Sequence, residues 1–242
     1  MSDRKGTKLA RCCYNDRFDP FCLNKNQALR TFYKNLFNSF LSGFSTEKLL
    51  DVGCGTGIYF DALSQISSVI TAIDISPDMI LIATKYCEQE GLNWIKPETG
   101  TAEKINYPDG SFDVVTAIDF FHHTANTAEV VAEIYRVLKP GGYLFVFEPN
   151  ILNPLMFMAH LIPKEERNAL RISTPAKLLS VFEERFELIR WEGFCVMITQ
   201  SKGFRKIIFD IYLAMFGLSK RQRLFPRQAC LLKKQSAGIP GG

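Results

Sequence analysis

The chain reads as an α/β protein built on a doubly wound, mostly parallel sheet. Two observations predict it. Short apolar runs alternate with segments of helical periodicity, and the first run leads directly into a glycine-rich turn. A parallel strand covered by helices on both faces reads as a short continuous apolar run, and its alternation with helices marks βαβ units. Length sets the scale: 242 residues, 47% hydrophobic and 22% charged, suffice for one large core with additions at its ends.

Residues 1–25 read as a flexible leading segment. Residues 26–41 bring Leu29, Phe32, Phe37 and Phe40 close to helical spacing, with Tyr33 and Leu36 on the same face. This predicts an amphipathic helix that either lids the site or simply packs on the sheet; Tyr14 and Phe18 upstream are candidates to close over a ligand. Next comes the stretch on which the rest is organised, Leu49-Leu50-Asp51-Val52-Gly53-Cys54-Gly55-Thr56-Gly57. Glycines let backbone approach a ligand where a Cβ would obstruct it. Asp51 puts a carboxylate at the mouth of the strand, where phosphate is repelled and a cationic group is favoured. A dinucleotide fingerprint requires a small residue at its sixth position, and Ile58 stands there, which disfavours a nicotinamide dehydrogenase.

Residues 58–66 are expected to form a short helix whose free N–H groups face the ligand. Residues 69–74 make a second strand ending in Asp74, about 20 residues after the loop, a separation that suits an acid accepting both hydroxyls of a ribose. Ser76 and Pro77 supply the cap and first turn of a helix over 78–89. An irregular strand is expected near 93–96, then a fourth over 112–118 that delivers Asp119-Phe120-Phe121-His122-His123 to the carboxyl edge of the sheet, where open α/β sheets bind their ligands. A helix over 127–138 with Val130, Val131, Ile134 and Leu138 inward leads through Pro140-Gly141-Gly142 into a fifth strand ending at Glu148-Pro149-Asn150.

Four ordered stretches carry a family resemblance: the glycine loop behind Asp51, the second-strand acid Asp74, the run Thr101-Ala102-Glu103 before Pro108-Asp109-Gly110 and Phe112-Asp113-Val114, and Leu138-Lys139-Pro140-Gly141-Gly142. Together they resemble class I S-adenosylmethionine-dependent methyltransferases of the type 11-like kind, over about a hundred residues. The resemblance implies a Rossmann-like sheet of seven strands with an antiparallel last strand, and S-adenosyl-L-methionine as cofactor. It implies cofactor contacts from Asp51, Gly53, Cys54, Gly55, Gly57, Asp74, Ile75, Met79, Thr101, Ala102, Glu103 and Asp119. Thr101 stands where the family commonly has Asp, and a hydroxyl accepts from an adenine amino group more weakly than a carboxylate, so recognition there shifts toward the backbone at Ala102.

Beyond residue 150 the likeness fades. Residues 151–163 are apolar with two methionines, 164–171 read as a charged helical stretch, 174–183 as a capped helix, 186–198 as a sixth strand broken at Gly193, and 228–233 as a seventh, antiparallel at the edge. Residues 202–218 read as an apolar, aromatic helix flanked by Lys202, Arg205, Lys206, Lys220, Arg221 and Arg223. The domain reading is a single methyltransferase domain over 26–234, with core 45–150, substrate-covering insertions over 151–223 and a flexible tail over 235–242.

Charge divides unevenly behind a net +4: residues 1–34 hold eight Lys/Arg against three Asp/Glu, 35–200 twelve against twenty-one, and 201–234 nine against one. Basic ends suit an anionic membrane surface or nucleic acid, or simply a solvated rim. Nucleic acid is disfavoured because no Asn-Pro-Pro-Tyr-type base-flipping signature follows the fourth strand. Seven cysteines, an odd number without repeating spacing, argue for reduced thiols and a cytoplasmic setting. Cys12, Cys13 and Cys22 lack the spaced partners of a metal site, Cys54 is in the loop for its size, and no resident metal is expected. The polar, basic stretch 1–11 predicts no secretory leader, and no run reaches the ~18–20 apolar residues of a spanning helix.

Methyl transfer asks a protein to position, exclude water and, for a hydroxyl acceptor, remove a proton. His122 and His123 are placed at a strand end for that task. His123 is the preferred base, with His122 turned toward the cofactor and Asp119 or Glu148 as alternatives; His160 lies in the apolar insertion, outside the chemistry. A Mg²⁺-assisted site from Asp119, Glu148 and Asn150 is discounted for want of a dedicated oxygen cluster. The acceptor is expected to be small and hydrophobic or lipid-like, O- or C-methylated, lying against the segments 151–163 and 204–218. Peripheral membrane contact through 202–223 and mutual burial of these segments are the competing readings of the same residues. A non-catalytic S-adenosylmethionine-binding partner or regulatory subunit on the same fold is the alternative function, and the oligomeric state is left open.

Overall fold

The computed structural model describes residues 27–161, 167–196, 211–212, 215 and 222–235. Tyr14, Phe18, Cys12, Cys13, Cys22, the leading segment, the tail and most of 202–221 lie outside them. The sheet has seven strands in the order β3-β2-β1-β4-β5-β7-β6: β1 (Lys48–Val52), β2 (Val69–Asp74), β3 (Ile95–Thr99), β4 (Phe112–Ile118), β5 (Leu138–Pro149), β6 (Phe186–Phe194) and β7 (Arg227–Lys234). The first five pair in parallel, and β7 runs antiparallel to both β5 and β6.

Strand alternation divides the core between the two faces. Leu49, Ile70, Val114, Phe145 and Leu231 pack on one side; Leu50, Val115, Leu144, Val146 and Leu232 pack on the other. Helix α1 (Gln27–Leu41) covers the first face through Tyr33, Leu36, Phe37 and Phe40. The Phe37 and Phe40 rings meet Phe145 edge-on, with centroids 5.5 and 5.3 Å away. Each fully buried side chain of this size contributes roughly 1.5–3 kcal/mol, so α1 is anchored on the sheet. The second face receives α4 (Thr127–Val137) through Val130, Val131, Ile134 and Val137.

Several expected boundaries move for identifiable reasons. The helix after the glycine loop shrinks to α2 (Phe60–Leu63), because Gly53, Gly55 and Gly57 all adopt positive φ and prolong the turn. A four-residue helix has no useful macrodipole, so the predicted helix N-terminus at the ligand is corrected to the loop itself. Helix α3 (Pro77–Glu90) begins as read, Met79 N–H donating to the Ser76 hydroxyl. It ends at Gly91 in the left-handed conformation, and the following turn, Ile95 N–H to Leu92 O, pushes β3 past the expected 93–96. The Pro140-Gly141-Gly142 turn is a bulge within β5: Phe112 pairs with Leu138, then Val114 with Tyr143.

Strand β7 is interior rather than at the edge, and β6 takes the edge. The break in β6 falls between Leu188 and Arg190 instead of at Gly193. Gly193 has another reason to be glycine: a Cβ there would lie 2.1 Å from the Gln222 carbonyl oxygen. After β5, the apolar insertion contains α5 (Pro154–Leu161), followed by α6 (Ala169–Ile172), the first part of the stretch read over 164–171 lying outside the described residues, and α7 (Pro175–Ser180), capped by Thr174 as the sequence suggests. No helix among the described residues is long and apolar enough to cross a membrane.

Candidate functional site

At the carboxyl edge of β1 and β4 lies a cleft lined by Asp51, Gly53, Cys54, Gly55, Thr56, Ile58, Tyr59, Ile118 and Asp119. Five of these were singled out from sequence: Asp51, Gly53, Cys54, Gly55 and Asp119. The loop is tied to the end of β2, where Gly53 and Cys54 N–H groups both donate to Ile73 O, at 2.8 and 3.0 Å. Gly53 is required by its neighbour as well as by its φ of +71°, since a Cβ would lie 2.3 Å from the Phe120 ring.

Two carboxylates flank the loop. Asp51 is 3% exposed and accepts from the Thr116 hydroxyl at 2.7 Å. Burial raises its carboxyl to about 7, the Thr116 bond opposing and nearby Asp74 adding to the rise. Asp74 accepts from Gly55 N–H on one oxygen and from Ser76 N–H on the other, each at 2.9 Å. Each oxygen takes one backbone donor there, and a carboxylate oxygen has two lone pairs. Ile75 and Met79 follow beside it, Ile75 being 74% exposed.

Thr101, Ala102 and Glu103 stand after β3, whose following Gly100 N–H binds Asp74 O at 2.9 Å. The Thr101 hydroxyl donates to the Glu103 carboxylate, and Ala102 is buried. Thus Gly57, Asp74, Ile75, Met79 and Thr101–Glu103 surround the loop and the ends of β2 and β3 without lining the cleft itself.

On the other side, the chain leaves β4 at Asp119 with φ +54°, the only positive φ outside glycine among the described residues. Such a conformation costs roughly 1–3 kcal/mol and persists where surroundings over-determine it. Here they do: Asp119 N–H donates to Phe147 O at 2.9 Å, Tyr59 donates its hydroxyl to one carboxylate oxygen at 2.8 Å, and Arg227 pairs with the other. Burial pushes the Asp119 carboxyl up, but Arg227, His122 and the Tyr59 bond outweigh it and hold it below the usual range. An aspartate held in this way is a poor proton acceptor.

The next residues form a 3₁₀ turn, Phe121–His123. Glu148, wholly buried at the end of β5, organises it. One oxygen accepts from Phe120 and Phe121 N–H, both at 2.7 Å, and the other from His122 Nδ1 at 2.6 Å. Because the carboxylate can only accept, His122 presents Nδ1 as the donor. His122 is buried and faces Glu148, whereas His123 is exposed with its ring 3.9 Å from that of His122. His160 on α5 brings the chain's third imidazole to 5.7 Å from His122. Asn168 holds the turn from outside, donating to His122 O and Thr124 O.

Asp119, Glu148 and Asn150 direct their polar atoms to protein partners; Asn150 donates to Arg223 O and Phe225 O and accepts from Leu152 N–H. Among the described residues no group of three or more His, Cys, Asp or Glu is placed to hold a metal. Four contributors escape a sequence reading: Thr116, Tyr59, Asn168 and Arg227. Thr116 is a single hydroxyl inside an apolar strand, a local signal of a polar partner. Arg227 lies 108 residues from Asp119, and only the sheet order brings them together.

Residues 50–146 match the sequence model of a family described as a methyltransferase domain. A ubiquinone biosynthesis O-methyltransferase of Methylococcus capsulatus is 36% identical over 98 residues, 40% of this chain and 41% of that protein. Its counterpart in Glaesserella parasuis is 25% identical over 187 residues, 72% of this chain and 78% of that one. The first of these matches therefore spans less than half of the relative's length. An S-adenosylmethionine-dependent methyltransferase of Aquifex aeolicus superposes with a TM-score of 0.62 at 17% identity, covering 90% of this chain and all of that one, a likeness of fold.

Proposed function

We propose, from the match of residues 50–146 to a methyltransferase-domain model, that the protein is a class I S-adenosylmethionine-dependent methyltransferase that moves a methyl group from S-adenosyl-L-methionine to an oxygen of a small, apolar or lipid-like acceptor. One observation carries the reading: the glycine loop is flanked by a buried carboxylate, Asp51, and by a carboxylate, Asp74, whose two oxygens each accept one backbone N–H. These residues fit the cofactor. Asp51 is suited to a cationic amino or sulfonium group, Asp74 to the two hydroxyls of a ribose, and the loop glycines to close contact. The exposed Ile75 with Met79, and Thr101, Ala102 and Glu103, would border the adenine.

When bound, S-adenosyl-L-methionine supplies an electrophilic methyl on a cationic sulfur. The chain then has to orient the acceptor, exclude water and take its proton. Glu148 fixes His122 through Nδ1, making His122 the oriented histidine of the pair. His123 lies exposed beside it, its ring 3.9 Å from that of His122. Asp119 serves to shape the cleft wall rather than as a base.

The O-methyltransferase names of the relatives favour oxygen as the acceptor atom and suggest a ubiquinone-like, lipid-linked acceptor. Apolar side chains past the acceptor edge agree with a lipid-like body: Leu152, Phe157 and Met158 about α5 are 45%, 41% and 48% exposed. A helix without a charged residue that shows such side chains to solvent suits a peripheral membrane contact. The residues read as one domain over 26–234.

The test is calorimetric titration with S-adenosyl-L-methionine and, separately, NADH, with Asp74→Ala as control. Micromolar binding of the first alone, lost in the variant, is expected, followed by methyl incorporation into apolar phenols. Binding without incorporation into any acceptor would favour a non-catalytic subunit; binding of neither cofactor overturns the proposal.

A further inference from the structure

Arg227 is a mostly buried cation behind the cleft wall formed by Tyr59 and Asp119. It opens β7 opposite Pro149, the last residue of β5, so it reaches the same sheet edge as Asp119. A guanidinium carries five N–H donors. One nitrogen, Nη2, pairs with Asp119. The planar face lies on the Phe147 ring, 4.4 Å from its centroid, a contact that takes up no N–H. The Nε–H is shut off from solvent and has no hydrogen-bond partner among the described residues.

A buried donor on a charged group without a partner is costly and uncommon, and it calls for an explanation such as a ligand that completes it. Its surroundings indicate what kind. Tyr33 and Tyr59 stand edge to face at 5.0 Å, and Tyr33 meets Phe147 at 6.0 Å, so the guanidinium sits among aromatic rings beneath α1. Tyr59 and Asp119 are at once cleft walls and neighbours of the Arg227 charge.

We propose that Arg227 selects the acceptor: its unpartnered Nε–H binds an acidic oxygen, a carboxylate or an ionised phenol, carried on a flat apolar body. Arginine suits this task because its planar fork matches such oxygens in geometry as well as charge. The inference rests on reading the cleft as the methyl-donor site, and it adds the chemical class of the other substrate.

The test uses the full chain saturated with S-adenosylhomocysteine and three probes of similar size at pH 8: 4-hydroxybenzoate, 4-nitrophenol and the neutral 4-hydroxybenzyl alcohol. At least one anionic probe should bind ten times or more tightly than the neutral one, the two anions distinguishing carboxylate from phenolate. In Arg227→Lys, which keeps a positive charge near Asp119 and loses Nε and the fork, the preference should fall to threefold or less with S-adenosylhomocysteine affinity retained. Should that variant not fold, arginine-Nε-labelled wild-type protein gives the second readout: the Arg227 Nε–H resonance should shift with the anion and stay in place with the alcohol. Equal affinity for all three probes, a preference that survives in Arg227→Lys, or an unmoved resonance overturns the proposal. Failure of S-adenosylhomocysteine to bind the wild type would instead overturn the methyltransferase reading on which it rests.

Discussion

The Tyr59 hydroxyl donates to the Asp119 carboxylate at 2.8 Å, joining the turn after β1 to the left-handed residue after β4 across 60 positions of sequence. This bond closes the cleft on the side away from Asp74. Tyr59→Phe keeps the ring contacts with Tyr33 and Phe37 and removes one hydrogen bond to a charged acceptor, a loss of about 1.5–3 kcal/mol. Urea denaturation should show that loss. Because the same bond fixes the cleft wall, S-adenosylhomocysteine should add less stability to the variant than to the wild type. An equal ligand-induced increment in both would assign the bond to folding alone.

With Asp51 as the proposed partner of the cofactor's cationic groups, cofactor binding is expected to depend on pH. Its carboxyl titrates at about 7 in the folded protein against an ordinary 3.8. A raised acid favours the neutral form, so the folded state binds more protons than the unfolded one between those values, and this contribution to stability is lost as pH rises toward 7. Asp51→Asn should therefore match the wild type in stability near pH 4 and exceed it at pH 8, by on the order of 1–4 kcal/mol. A cationic ligand prefers the ionised wild type, so its affinity should fall as pH drops below 7, and the variant should bind S-adenosyl-L-methionine at least tenfold more weakly at pH 8. Parallel melting and calorimetry across pH 5–8 would check both signs.

The legible part of this molecule is local. Asp51, the loop glycines and Asp74 could be read because a strand, a turn and an acid follow one another within 24 residues, and the close approach of backbone to neighbour demands glycine at Gly53. The same locality explains the errors. Three alternate positive-φ glycines delayed α2, and the left-handed Gly91 delayed β3. Sheet order is a tertiary fact: nothing in 227–234 says that it inserts between β5 and β6. Arg227 therefore carried no local sign of its partnership with Asp119, and His122 none of its turn inward to Glu148.

Glu148 separates a packing role for the histidines from a chemical one. Glu148→Gln retains an oxygen for the Phe120 and Phe121 N–H groups but places an amide beside His122 Nδ1. If His122 is the oriented base, kcat should fall by roughly 10²-fold or more while the affinity for S-adenosyl-L-methionine stays within threefold, and the acid limb of the pH–rate profile should move. A fall in melting temperature with an unchanged profile would leave Glu148 a structural group and return the base to His123.

Arg136 on α4 is the last such device, and it holds the loop that the proposed function sets against the adenine. Its guanidinium donates to Ile105 O and Tyr107 O, each at 2.8 Å, to Asp109 at 2.8 Å, and to Glu133, whose carboxylate also takes Ile105 N–H at 2.9 Å. The loop that carries Thr101, Ala102 and Glu103 is thus pinned to a helix. Arg136→Lys replaces a planar fork with one nitrogen that cannot reach these carbonyls together. The expected result is a tenfold or greater rise in KM for S-adenosyl-L-methionine, about 1.4 kcal/mol, with KM for the acceptor unchanged. Asp109→Ala is the control: the Asp109 side chain is 81% exposed, exposed pairs are worth ~0–1 kcal/mol, and its removal leaves both carbonyl bonds in place. If Asp109→Ala weakens the cofactor as much as Arg136→Lys does, the ion pair rather than the carbonyl clamp holds the loop.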